Sequence, residues 1–579
     1  MTIKQSIQTH EWWRSAAIYQ VYPRSFYDSN GDGIGDLPGI IEKLDYIASL
    51  EVDAVWISPF FKSPMKDFGY DISDYRAIEP MFGTMDDFKT LLDKAHHRNL
   101  KILIDQVWNH TSEEHEWFIE SRSSRDNPKA DWYVWEDAKA DSSPPTNWRA
   151  TFGGSAWEWD ETREQYYLHS FLTSQPDLNW YNPKVQAAIL DTARFWLDMG
   201  VDGFRLDVVN FFLHDQKLRD NPVRPPDMPR PAGASANDPF FDLHNLYNFN
   251  QPKIVELLKP IRQLMEEYPG TTTLAEISSA EDALLTSSEY VRDNDKLHMA
   301  YNSELMKDEP FSYGRLRDMI QRIEAKFQDG VICWTAGTHD FPRLKSRWQK
   351  HFKGDRCLDE LPRAPSDVPK GIHFDNAGSH RFTEEAFDHL LAALILALKG
   401  SCCIYQGDEL GLTEAEIPYE KMQDPFGLAG YPSILGRDGC RTPMPWKHTS
   451  HQAGFTTAKE PWLPIPQEHL PLAVDLQEPE PMSLLNKYRR LFNWRKQQPA
   501  LQKGNLTLLD TPEPLFGISR KSDEQHLICL FNLSPTAIHY DLSEYGKCED
   551  ANESDFNVRR YDNTIEIPGY GVFFGNCLG

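Results

Sequence analysis

Four acidic residues in this chain share one local setting: each closes, or follows, a short apolar run. Asp105 ends Lys101–Asp105, Asp207 follows Gly203–Leu206, Glu276 follows Thr272–Ala275, and His339–Asp340 follow the run Val331–Thr335. Arg205 stands two positions before Asp207, and strand side chains alternate, so the guanidinium and the carboxylate point the same way. A single Asp at a strand end is usually a helix N-cap or a surface group. Acidic groups in register on successive strands point instead to carboxyl chemistry, in which one group is ionised and another keeps its proton. A second run, Asp28-Ser-Asn30-Gly-Asp32-Gly-Ile34-Gly-Asp36, puts hard oxygen ligands at alternate positions, the early pattern of an EF-hand loop. Gly39 stands where the closing glutamate of such a loop belongs, so the run is either another kind of cation loop or a solvated Asp/Gly turn.

The elements that must position these residues are legible as an alternation. Strand candidates are Ile18–Tyr22, Ala54–Ile57, Lys101–Asp105, Gly203–Leu206, Thr272–Ala275, Met299–Asn302, Val331–Thr335 and Cys402–Tyr405. Amphipathic stretches lie between them, such as the one through Val185, Ile189, Trp196 and Met199, which stops at Gly200. The pattern predicts an α/β fold, a parallel (β/α)8 TIM barrel. From His110 to Asp177 the text is polar, aromatic and helix-poor, as an excursion domain would be. Asn221–Asp238 is a proline-rich loop, and Lys353–Gly378 reads as a surface insertion. From about Gly504, short alternating strands replace helices and predict an antiparallel β-sandwich. The expected division is 1–110 and 178–503 for the barrel, 111–177 for the excursion and 504–579 for the C-terminal domain.

Composition narrows the partners. The 579 residues are 40 % hydrophobic and 25 % charged, with a formal net charge of −27, which repels nucleic acid and anionic lipid and leaves a small neutral or cationic partner. Met1–Trp12 holds no apolar run of signal-peptide length, and the longest apolar stretch, Leu390–Leu398, suits a core helix. The eight cysteines show no CxxC or His/Cys metal spacing, and Cys402–Cys403 read as free buried thiols. A cytoplasmic monomer or weak homo-oligomer is expected, with no membrane or nucleic-acid partner.

The segments DQVWNH (105–110), GFRLD (203–207), LAE (274–276) and HDFPR (339–343) resemble the signature regions of glycoside hydrolase family 13, the α-amylase superfamily. QPDLNW (175–180), VWISP (55–59), YQGDELG (405–411) and GRDGCRTPMPW (436–446) extend the resemblance over nearly the whole chain, closest to the oligo-1,6-glucosidase/α-glucosidase branch. The resemblance implies a retaining, exo-acting α-glucosidase that works on short oligosaccharides through a glycosyl-enzyme. Asp207 would be the nucleophile, Glu276 the general acid/base and Asp340 the transition-state stabiliser. Arg205 would favour the ionised form of Asp207, and retention needs the two carboxyl groups about 5–5.5 Å apart. His110 and His339 would grip sugar hydroxyls, Tyr70 would stack on the ring, and Phe171 joins the substrate-binding set. Asp67 with Arg437 would block the non-reducing end, with Arg441 the second choice; read without the resemblance, Tyr70 is a core tyrosine and Asp67 a turn residue.

Relatives of this branch also hold one structural Ca²⁺ or Mg²⁺ in a loop like 28–36, which implies Asp28, Asn30, Asp32, the Ile34 carbonyl and Asp36 as ligands, with no organic cofactor. Val208, next to the nucleophile position, resembles the α-1,6-cleaving members, with α-1,4 cleavage as the other option. Thr338 departs from the asparagine usual there; it keeps a hydroxyl and loses an amide donor. The same intermediate can pass glucose to another hydroxyl, so a transglucosylase or a sucrose- or trehalose-converting enzyme is the alternative. A non-catalytic, glucosidase-like transporter subunit is a remote one, since it would need a membrane anchor.

Overall fold

A computed structural model describes residues 11–231, 237–307, 309, 312–349, 372–374, 384–551 and 556–578. Eight parallel strands close into a barrel. They are β1 (Ala17–Val21), β2 (Ala54–Ile57), β3 (Lys101–Gln106), β4 (Gly203–Leu206), β5 (Thr272–Ile277), β6 (Met299–Asn302), β7 (Val331–Thr335) and β8 (Ser401–Tyr405). Each pairs with its neighbours in chain order, and β8 returns to β1 with Cys403 opposite Ile18. Every strand expected from the sequence is present, within a residue or two at each end. They are buried on both faces, as strands between a packed interior and an outer ring of helices must be.

The helices form for local reasons. Pro183–Met199 starts on the Asn182 side chain, which accepts the Lys184 N–H, has proline in its first turn and ends at Gly200 in the left-handed region at φ 102°. Its buried Val185, Ile189 and Trp196 recur at helical spacing and face the barrel. Met85–His96 carries a reciprocal Thr84–Asp87 capping box. The apolar run Leu390–Leu398 is buried throughout and falls largely in the helix Glu384–Ala397.

Inside the barrel, alternation sorts the strands into levels. Leu103, Leu274, Met299 and Cys333 join Ile18, Trp56 and Cys403 in one apolar cluster, with Trp13 just ahead of β1 in the same cluster. One step further along the same strand faces come Asp105, Glu276 and Tyr301, and β4 presents Gly203, Arg205 and Asp207 in turn. Gly203 is required there: its φ is 155°, and a Cβ would lie 2.1 Å from the Thr272 carbonyl oxygen of β5. The adjacent Cys402 and Cys403 are both buried and free, and they point to opposite faces of β8, outward to the main core and inward to the barrel cluster.

The long connections sit where the sequence becomes irregular. Between β3 and β4, Trp135–Glu136, Gln165–Leu168 and Trp157–Asp160 form a three-stranded antiparallel sheet. Within 353–378, Ile372–Phe374 pairs antiparallel with Ile538–Asp541, so this piece adds a strand to the C-terminal region; the rest of that segment lies outside the described residues. The C-terminal region holds a five-stranded and a four-stranded antiparallel sheet, whose inner faces meet through Leu515, Ile528, Leu530, Ile538, Ile565 and Phe573. Here the structure adds a pairing that cysteine spacing did not suggest: Cys548 and Cys577, opposite each other on neighbouring strands, form a disulfide. Among the described residues no helix is long and apolar enough to cross a membrane.

Candidate active site

The centre of the site is one guanidinium shared among carboxyl groups. Arg205 Nη1 donates to Asp105 Oδ1 at 2.8 Å and to Asp207 Oδ1 at 2.6 Å. Its Nη2 donates to Glu276 Oε2 at 2.5 Å and to the Tyr301 hydroxyl at 2.7 Å. Arg205 is 0 % exposed, and the Asp207 and Glu276 side chains are 9 % exposed, so the whole group is nearly dry. β3, β4 and β5 lie side by side with Asp105 opposite Arg205, which is what brings these residues together. Asp207 and Glu276 thus share a partner and line the same cavity, of about 410 Å³, together with Asp340.

One cation facing three buried carboxyl groups cannot neutralise them all, so protons must be held. Burial pushes Asp105 up to about 6 against the pull of Arg205. Burial also lifts Asp207 to about 7 and Glu276 to about 8; Arg205 opposes both, and Asp207 and Asp340 raise Glu276 further. Of the two that line the cavity, Glu276 therefore keeps its proton to higher pH and Asp207 ionises before it. The expectation that Arg205 would favour the charged form of Asp207 holds in sign, but burial outweighs it. Asp340 goes the other way. Burial alone would raise it, yet proximity to His339, Arg437 and Arg441 brings it well below the ordinary carboxylate range. Burial also drives the His339 pKa far down, so that ring is neutral and the two guanidinium groups carry the effect.

A polar clamp occupies one wall of the cavity. Arg437 Nη2 donates to Asp67 Oδ1 at 2.8 Å and Nη1 reaches Asp340 Oδ1 at 3.2 Å. Arg441 bonds the His339 carbonyl and Asp340 Oδ1, so Arg437, not the alternative Arg441, is the partner of Asp67. Tyr70 donates to Asp105 Oδ2 at 3.1 Å, lies 2.7 Å from His339 Nε2 and stacks on that ring at 5.3 Å between centroids. Its ring is both a packed tyrosine and a cavity wall. His110 Nε2 meets the Tyr70 carbonyl at 3.0 Å and its ring packs on Phe171. Burial brings the His110 pKa down to about 4, which leaves a neutral hydrogen-bonding imidazole. Asp67, Tyr70, His110, Phe171, Val208 and Arg437 all line the cavity with Asp207, Glu276 and Asp340. Arg205 and His339 support it from behind, fully buried.

Two local features could not be anticipated. Val208 is held at φ 36°, ψ 49°, an outlying conformation for a β-branched residue, and its N–H points at Glu276 Oε2, 3.3 Å away. The Thr338 hydroxyl accepts the Asp340 N–H at 3.2 Å, so the hydroxyl retained at that position shapes the turn into the carboxylate. Among residues the sequence reading did not single out, Asp424 takes Arg437 Nε and Nη2 and anchors the clamp, while its other visible task is to cap Pro425–Gly430. An Asp before proline signals only that cap. Gln175 donates to Asp67 Oδ2 at 3.1 Å, and its motif was recognised without its role.

At the 28–36 loop, Asp28 accepts the Asn30, Gly31 and Gly33 N–H groups, Asn30 accepts Asp32 N–H and Asp32 accepts Ile34 N–H. Asp36 caps Leu37–Glu42 and takes the Ser29 hydroxyl. The loop is therefore curled, with its side-chain oxygens turned onto its own backbone N–H groups. Among the described residues no three acidic, histidine or cysteine side chains gather as a metal cluster, and carbonyl and amide oxygens would have to complete the shell.

Comparison with known proteins agrees with this geometry. The chain matches the alpha-amylase catalytic-domain family over residues 20–361 and 373–504. It is 45 % identical to a probable alpha-glucosidase of Rhizobium meliloti, with 97 % of each chain covered. It is 37 % identical to an oligo-1,6-glucosidase of Heyndrickxia coagulans, over 96 % of this chain and 99 % of the other. A solved structure described as an alpha-glucosyl transfer enzyme, XgtA, superposes with a TM-score of 0.88 at 46 % identity, covering 98 % of this chain and 99 % of that one. With its closed barrel and carboxyl cluster, the chain belongs to glycoside hydrolase family 13, in the α-glucosidase branch of the α-amylase superfamily.

Proposed function

We propose that the protein is a retaining, exo-acting α-glucosidase that removes terminal glucosyl units from short α-glucosides. The observation that carries this reading is the pair Asp207 and Glu276 on one guanidinium, in one cavity closed at one wall by Asp67 and Arg437. Ionised Asp207 attacks the anomeric carbon while Glu276 gives its proton to the leaving oxygen; water, deprotonated by Glu276, then releases glucose from the ester with retention. Asp340, kept charged by Arg437 and Arg441, bonds the ring hydroxyls more tightly as the ring flattens in the transition state. On this reading the Asp67–Arg437 pair closes the site behind the terminal glucose, and the action is exo.

Val208 inclines the linkage preference to α-1,6, and the name of the Heyndrickxia relative supports the same direction. A panel of maltose, isomaltose, maltotriose, panose and sucrose, with products separated, tests the whole reading. Free glucose of α configuration from isomaltose is expected; isomaltose cleaved much more slowly than maltose overturns the linkage, and isomerised or transferred product in excess of glucose selects the transglucosylase alternative. We assign the 28–36 loop one structural Ca²⁺ or Mg²⁺, held by Asp28, Asn30, Asp32, the Ile34 carbonyl and Asp36, whose loss would free the loop and leave the chemistry untouched. Chelation should lower Tm by a few degrees and calcium should restore it; an unchanged Tm removes the ion. A cytoplasmic setting rests on the free buried cysteines among the described residues, Cys333, Cys402, Cys403, Cys440 and Cys529. The Cys548–Cys577 bridge runs against it, since such bridges are rare in reducing compartments. Titration of protein extracted under alkylating conditions decides: all eight cysteines alkylated for a reducing compartment, or the pair protected for an oxidising one.

A further inference from the structure

A second cavity, of about 580 Å³, lies at the opposite end of the barrel from the catalytic carboxyl groups. Ser15 ahead of β1, Val331 at the start of β7 and Gly400 ahead of β8 form one side of it. The helix Tyr313–Phe327 and, through Arg520, the C-terminal strand Leu515–Lys521 form the other. Its acidic groups are already engaged. Glu11 pairs with Arg14 at 2.5 Å, Glu324 with Lys399 at 3.7 Å, and Asp329 Oδ1 accepts the Asp293 N–H at 3.0 Å. Two lining cations are left over. Lys503 is exposed and forms no ion pair among the described residues. Arg520 is 1 % exposed; its Nη1 and Nη2 donate only to the carbonyls of Ala397, Leu501 and Gly504, and its Nε has no partner. Just behind the wall Arg495 is also short of a counter-charge among the described residues: it is buried and bonds the Leu396, Ser15 and Gly400 carbonyls. Burial pulls the Arg520 guanidinium down to about 10, and the neighbouring Arg495 charge acts the same way, against Cys529 and Glu324. Carbonyl dipoles satisfy N–H groups without cancelling a buried charge. Two guanidinium groups held so close without a carboxylate give this cavity a positive potential, in a chain whose net charge is −27.

We propose that this cavity binds a small organic phosphate monoester, with its phosphate held by Arg520 and Lys503. The unanswered charge of Arg520, Lys503 and, behind them, Arg495 calls for a dianion, which a phosphate monoester is near neutral pH; a carboxylate or a halide would leave part of it unanswered. A guanidinium is also the side chain best matched to phosphate oxygens. The volume exceeds what a bare ion fills, and Ile323, Phe327 and Ile332 offer an apolar lining to the organic part. Arg495 holds the carbonyls ahead of β1 and β8, and Arg520 stands on the C-terminal sheet, so a shared anion would tie that sheet to the barrel and stabilise the folded chain. The inference is independent of the α-glucosidase reading, because no residue lining this cavity lines the catalytic one.

Isothermal titration of the full chain with phenyl phosphate tests the proposal, with inorganic phosphate as the second probe and the ionic strength fixed with sodium chloride. Saturable binding of one phenyl phosphate with a Kd of ~1 mM or tighter is expected, at least ~3-fold tighter than inorganic phosphate because of the apolar lining. Tm should rise by a few degrees at saturation. Lys503→Glu, at an exposed position, should weaken binding ~5-fold or more, and Arg520→Gln ~10-fold or more; Lys503→Glu decides alone where Arg520→Gln does not fold. Arg437→Gln, in the catalytic cavity, should leave the affinity unchanged. No saturable binding, an affinity that Lys503→Glu does not move, or one that Arg437→Gln lowers as much as Lys503→Glu does, overturns the proposal. Equal affinity for the two probes assigns the cavity to the free anion and overturns the ester.

Discussion

The barrel interior carries two successive levels of side chains on the same strands, and their contrast separates what folds this protein from what it does. On β3, β5 and β6 the lower residues are Leu103, Leu274 and Met299, in a dry apolar cluster. One step on, the same faces carry Asp105, Glu276 and Tyr301, all within hydrogen-bonding distance of Arg205. Burial is equal at the two levels, yet it does opposite work. Below, it stabilises by removing apolar surface from water. Above, it destabilises charge, and that cost is what lifts Asp207 and Glu276 out of the ordinary carboxylate range.

The sharpest way to break this contrast is a substitution at the upper level. Asp207→Asn should reduce kcat by ~10⁴-fold with every substrate, with little change in Tm; turnover within tenfold of the parent would refute its assignment as nucleophile. At the lower level, Leu103→Ala should cost about 2–5 kcal/mol of stability by chemical denaturation, while kcat/KM per folded molecule changes less than ~10-fold. A large activity loss with stability intact there would show that the levels are not separable. The smallest effect is in pH dependence, and it sharpens the electrostatic half. Protonation of Asp207 should remove activity as pH falls through about 7, and deprotonation of Glu276 should remove it as pH rises through about 8. An acid limb near pH ~4, the ordinary carboxylate value, would mean that Arg205 outweighs burial.

The same contrast explains what could be read without coordinates. Strands announce themselves by apolar runs, and a residue's face follows from parity, so the convergence of Asp105, Arg205, Asp207 and Glu276 was legible from spacing alone. The clamp was legible only in part. Asp67 and Arg437, which donates to it, are far apart in sequence, and their meeting came from resemblance. Asp424 carries the signature of a helix cap and nothing else, so its second role was hidden. The Cys548–Cys577 bridge depends on strand register within the C-terminal sheet, which spacing does not encode.

The left-handed backbone at Val208 changes how specificity variants at that position should be interpreted. A branched side chain resists that conformation more than alanine does and far more than glycine does. Swapping the residue to alter which bond is cut therefore also relaxes or tightens the main chain that aims an amide at the proton donor. Two replacements of similar bulk can differ in turnover for reasons that have nothing to do with the shape offered to the sugar.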